Sequence, residues 1–121
     1  MHELGVVFHI IKSINKIAVE NNIHHINSVT LQIGEVSTAV PYLVEDCWNW
    51  AVKKEDILKN AILHIEKIEA ITFCEDCKKE YSTVKYAKIC PHCGSDHTFL
   101  KTGNEINIKE IEVIDEWSKQ D

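Results

Sequence analysis

The stretch Cys74-Glu75-Asp76-Cys77, followed by Cys90-Pro91-His92-Cys93-Gly94, sets two Cys-x-x-Cys pairs on either side of a short polar spacer. A two-residue gap lets both sulfurs of a pair reach about 2.3 Å from one ion, so four thiolates in this pattern read as one tetrahedral zinc site. Pro91 pre-sets one backbone angle and Gly94 accepts a positive one, which is the turn chemistry of a thiolate-binding knuckle. Two disulfides would need an oxidising compartment, and redox Cys-x-x-Cys motifs come singly near a βαβ pattern. With sulfur in all four positions no place is left for a water nucleophile, so the zinc reads as structural. The loop is too small to bury a core, and metal binding has to supply its fold, with free energies on the order of 10–16 kcal/mol in comparable peptides. His92 and His97 sit inside and just beyond the second knuckle. They read either as exposed loop histidines or as auxiliary metal-binding or pH-sensing groups.

Working outward, one strand alternation enters this stretch from Leu63 and Ile65 through Phe73, and another leaves it through Ile106, Ile108, Ile111 and Val113. Each slips parity once, at Lys67-Ile68 and around Lys109-Glu110, which hints at bulges. The two strands are expected to pair as neighbours. Upstream, Leu4, Val7, Ile11, Ile14 and Ala18 recur at helical spacing from Glu3 to about Asn21, widened by Phe8, Ile10 and Ile17. His2 and His9 fall on the solvent side, two turns or roughly 10 Å apart, too far to share a metal. Asn21-Asn22 is a helix stop, and His24-His25 reads as solvated loop. Val29, Leu31 and Ile33 alternate with Ser28, Thr30 and Gln32 in a half-buried strand that ends at Gly34-Glu35. Pro41 suits a first helical turn, and Leu43, Cys47, Trp50 and Ala51 make the stripe of a second helix, with Cys47, Trp48 and Trp50 as packing residues. Lys53 to Asn60 reads as a solvated turn or short helix, and Asp115 to Asp121 as a fraying tail.

The sum is an α+β fold: a small three-stranded sheet with two amphipathic helices on a face, plus an inserted zinc-ribbon-like four-cysteine module. The expected division is a body of residues 1–72 and 99–121 carrying a module of residues 73–98. At 121 residues, 45% hydrophobic and 26% charged, the chain is one ordinary globular domain's worth. Its net charge of −6 and its lack of any arginine argue against nucleic acid as a partner. No signal peptide and no run of ~20 apolar residues is visible, so the expected location is cytoplasmic, away from membranes. Five cysteines, with Cys47 left over, suit a reducing compartment. No nucleophile and base form a recognisable constellation, so no enzyme is expected.

Several segments taken together carry a resemblance: Met1-His2-Glu3 opening a helix, Gly34-Glu35-Val36-Ser37, Cys74-x-x-Cys77, Cys90-Pro91-His92-Cys93-Gly94-Ser95 and Gly103-Asn104-Glu105-Ile106. In this order and spacing, from Met1 to about Val113, they resemble the HypA/HybF nickel metallochaperones. The resemblance implies delivery of Ni(II) for [NiFe] hydrogenase maturation and, in some members, for urease. It implies a HypB-type GTPase, the hydrogenase large subunit and urease accessory proteins as partners. It also assigns nickel to the Met1 amine, the backbone nitrogens of His2 and Glu3, and the His2 imidazole. Lys78 departs from the glycine often found after the first Cys pair, which touches the turn and not the sulfurs. Independently of the family, nitrogen donors in a tetragonal set suit Ni(II) better than zinc. The α-amine titrates near 7.7–8.0, so nickel affinity should fall as pH drops. The second reading is a zinc-ribbon adaptor that binds protein or nucleic acid and carries no nickel.

Overall fold

The computed structural model describes residues 2–113, and the side chain of His2 lies outside that description. In chain order the elements are α1 (His2–Glu20), β1 (Ile26–Gly34), α2 (Pro41–Ala51), two 3-10 turns (Val52–Lys54 and Asp56–Leu58), β2 (Ile62–Ile68), β3 (Ile71–Cys74), β4 (Glu80–Ser82), α3 (Thr83–Tyr86), β5 (Thr98–Thr102) and β6 (Ile106–Val113). The strands form two three-stranded sheets, ordered β2-β1-β6 and β4-β3-β5. The chain divides into two compact units. Of the described residues, the first holds 2–31, 39–65 and 108–113, and the second holds 32–38 and 66–107.

In the first unit α1 buries Val7, Ile10, Ile11, Ile14 and Ala18, and α2 buries Val44, Trp48 and Ala51. Each fully buried aliphatic side chain contributes about 1.5–3 kcal/mol of transfer free energy. Asn22, at φ 56, closes α1, with Ile23 N–H donating to Ala18 O at 2.9 Å. The face of α2 differs from the expected stripe. Trp50 is 49% exposed and Cys47 half-buried, whereas Trp48 is fully buried and donates its indole N–H to Ala61 O at 3.2 Å. The i, i+4, i+7 series therefore runs through Val44, Trp48 and Ala51, about one residue round from the one expected. Trp48 decides the rotation because its ring is the largest apolar surface on the helix and its N–H finds a partner only inside.

β1 is buried on both faces rather than one: Ser28 and Thr30 are only 7% exposed. It is the central strand, and at its start Glu112 of β6 accepts from Asn27 Nδ2 at 2.7 Å and Ser28 Oγ at 3.1 Å. The expected long strand into the cysteine stretch is two strands. β2 stops at Ile68 and β3 begins at Ile71 in the other sheet. The parity slip is thus a change of sheet, held in the second unit by Glu35, whose N–H donates to Ile68 O at 2.8 Å and whose carboxylate accepts from Ala70 N–H at 2.9 Å. Consequently β2 and β6 flank β1 instead of pairing with each other, and the antiparallel pair that brackets the cysteines is β3 with β5.

Candidate metal centre

The second unit makes its sulfur cluster from two knuckles with one backbone pattern. Lys78 N–H donates to Cys74 O and Cys74 N–H to Lys79 O, both at 2.9 Å. In the second knuckle Gly94 N–H donates to Cys90 O at 2.8 Å and Cys90 N–H to Ser95 O at 2.9 Å. The residue after each pair is left-handed, Lys78 at φ 62 and Gly94 at φ 77. Lysine in the first turn therefore reproduces the geometry that glycine gives in the second.

All four sulfurs lie within 4.8 Å of one another, with Cys74–Cys93 and Cys77–Cys90 each at 3.6 Å. That is far beyond a disulfide bond of about 2.05 Å. It is close to the edge, about 3.8 Å, of a tetrahedron with Zn–S near 2.3 Å. The donor set fits a structural zinc, with no open position for exchange. Cys74 and Cys90 are buried against Tyr81, whose hydroxyl donates to Ala87 O at 2.8 Å, and Cys93 is exposed.

The thiols are not equivalent. Burial opposes ionisation of Cys90, but the N–H groups of His92 and Cys93 and the thiols of Cys77 and Cys93 outweigh it and bring its pKa down to about 7. For Cys93 the Ser95 N–H favours the thiolate, yet partial desolvation and the three other sulfurs push the pKa up to about 12. Burial also raises Cys77. One thiolate forms readily and the later ones resist, as expected of a cluster that needs a dication to hold four negative charges.

Neither histidine joins this group. His92 is exposed and contributes only its backbone N–H, 3.3 Å from Cys90 Sγ. His97, also exposed, places Nδ1 3.2 Å from Asp76 Oδ2 and Nε2 3.8 Å from Asp96 Oδ1. Ser95 donates to the Asp76 carboxylate, and with His97 it holds that group below its usual range.

At the N-terminus, Met1 and the His2 side chain lie outside the described residues. His2 and Glu3 are the first two residues of α1, and a helix leaves its first four N–H groups without intrahelical acceptors. Glu3 is 8% exposed, and its Oε2 accepts from Val40 N–H at 3.0 Å. Sequence reasoning missed this contact. Its signal was the start of α2 at Val40-Pro41, which has no side-chain cap of its own and suits a carboxylate. Glu35 and Glu105 were also missed. Glu105 accepts from Gly103 N–H at 2.6 Å beside the Glu35 contacts, so the Gly-Glu and Gly-Asn-Glu segments serve the same junction.

Comparison with known proteins places the chain. Residues 1–113 match the family model described as "Hydrogenase/urease nickel incorporation, metallochaperone, hypA". The chain is 33% identical over 114 residues to a hydrogenase maturation factor HypA of Geotalea uraniireducens, covering 93% of this chain and 99% of that one. It is 35% identical over 113 residues to a HypA of Nostoc sp., covering 93% and 96%. Its structure resembles the solution structure of the Ni metallochaperone HypA from Helicobacter pylori with TM-score 0.71 at 26% identity, over 93% of this chain and 97% of that one. With a family match across the whole described chain, a closed four-sulfur cluster and a shared fold, the protein belongs to the HypA family of hydrogenase/urease nickel-incorporation metallochaperones.

Proposed function

We propose a division of labour between two metals in this nickel metallochaperone of hydrogenase maturation. Cys74, Cys77, Cys90 and Cys93 hold the structural zinc, and Met1, His2 and Glu3 carry the nickel cargo through the terminal amine, two backbone nitrogens and the His2 imidazole. The observation that carries this reading is the sulfur geometry: four sulfurs within 4.8 Å of one another, two pairs of them at 3.6 Å, suit a fully occupied tetrahedral zinc shell that offers a recipient no open position. Nitrogen donors at the start of α1 suit Ni(II). Residues 73–98 then serve as the zinc module, and residues 1–72 and 99–121 as the nickel-binding body.

The chain performs no catalytic step of its own and works in the cytoplasm. No described helix is long and apolar enough to cross a membrane. Its partners are a HypB-type GTPase and the [NiFe] hydrogenase large subunit, with urease accessory proteins as the second class of client. The test is a nickel titration of zinc-loaded protein beginning at Met1, beside His2→Ala and a form extended by a few residues before Met1. Loss of nickel binding in both altered proteins, with zinc retained, is expected. Equal binding by all three overturns the assignment.

A further inference from the structure

The first unit carries a cleft of about 500 Å³ that the metal chemistry does not use. Its wall on one side is α2 and the turn after it, through Glu45, Asn49, Val52 and Lys53, and on the other the segment that leads into β2, from Lys59 to Leu63. The floor is apolar, with Val52, Ala61 and Leu63 all at most 7% exposed. No residue of β1 lines it, Ile62 and Leu63 are the first two residues of β2, and β2 is an edge strand of the order β2-β1-β6. Ile62, 56% exposed, lines the cleft as well.

The charge at the rim sets the occupant. Among the described residues Lys53 and Lys59 have no ion-pair partner, in a chain whose net charge is −6. Glu45 is the one opposing charge in the lining, which leaves the lining with one net positive charge in an acidic chain. An unpaired strand edge supplies main-chain donors and acceptors to an incoming extended chain, and flanking pockets then select its side chains. Two unpaired ammonium groups favour carboxylates at contact distance.

We propose that this cleft binds an extended acidic peptide segment of a partner protein, which adds as a further strand beside β2 with its carboxylates on Lys53 and Lys59. The inference stands apart from the nickel assignment, since none of these residues belongs to the N-terminal segment.

The experiment uses zinc-loaded full-length chain and a fluorescein-labelled octapeptide of alternating valine and glutamate. Binding is followed by anisotropy and mapped by amide NMR shifts. The expected result is saturable binding, perturbation centred on residues 59–65, and at least a tenfold loss in the Lys53→Glu, Lys59→Glu double variant. A valine–lysine peptide should not bind, and an N-methylated valine–glutamate peptide should bind at least tenfold more weakly because it cannot complete the strand. Nickel binding of the double variant is measured alongside and should stay unchanged. The proposal is overturned by no binding at millimolar peptide, or by equal binding to the double variant. It is overturned equally if inorganic phosphate displaces the peptide completely, which marks a simple anion site. Perturbation of the same amides by protein concentration alone also overturns it, since it marks a second copy as the occupant.

Discussion

Lys78 and Gly94 hold the same left-handed turn, but only glycine holds it without steric cost. A left-handed side chain costs about 1–2 kcal/mol, and glycine gives back roughly 0.5–1 kcal/mol in the unfolded chain. Lys78→Gly should therefore tighten zinc binding by about two- to fivefold. Gly94→Ala should loosen it, by about five- to thirtyfold at the steric limit of 1–2 kcal/mol, although no atom lies within 4 Å of the added Cβ. Chelator competition measures both, and a Gly94→Ala protein of unchanged affinity would contradict the turn argument. The thiols add a pH dependence with a definite sign. Zinc binds thiolates, so protons compete, and affinity falls as pH drops, most visibly once Cys90 protonates below about 7. At this scale the four-sulfur cluster was legible because the spacing of a Cys-x-x-Cys pair brings its two sulfurs together. Glu3 was not, because its partner Val40 is remote in sequence and the bond depends on how α1 and α2 pack.

α2 shows what an element's pattern leaves open. Leu43, Cys47, Trp50 and Ala51 fit helical spacing as well as Val44, Trp48 and Ala51 do, and only the buried indole of Trp48 and its bond to Ala61 O decide between them. Trp48→Ala should cost about 3–5 kcal/mol of stability in denaturant melts. Trp50→Ala, which loses a half-exposed ring stacked under Lys54 at 4.1 Å, should cost about 1 kcal/mol or less. Similar losses from the two would restore the stripe first expected. The change of sheet between β2 and β3 was visible only as a parity slip, because the bonds that enforce it come from Glu35, distant in sequence. Backbone also meets backbone there: a Cβ on Gly34 would lie 2.0 Å from Gly103 O. Gly34→Ala should destabilise the chain by about 1–3 kcal/mol, read as a lowered denaturation midpoint with zinc bound.

For the whole molecule, the helices, the three-stranded sheet and the cysteine module were readable in outline because each follows from a local period or spacing. The strand order was not, since β2 and β6 are joined through β1, which comes earlier in the chain than either. The two units also differ in what holds them together. The first has a core of aliphatic side chains around Trp48, while the second has Tyr81 and its cysteines at the metal end. Removing zinc with a chelator should abolish amide protection around residues 74–98 and leave protection in α1 and α2 near its original level. Uniform loss across the chain would mean that the first unit depends on the metal as well. In the proposed assignment, cargo and scaffold metals occupy separate sites with different donors. X-ray absorption at both metal edges, on one sample loaded with zinc and nickel, tests this most directly. The zinc edge should show four sulfurs near 2.3 Å and the nickel edge a shell of nitrogen and oxygen alone. Sulfur in the nickel shell would contradict the account.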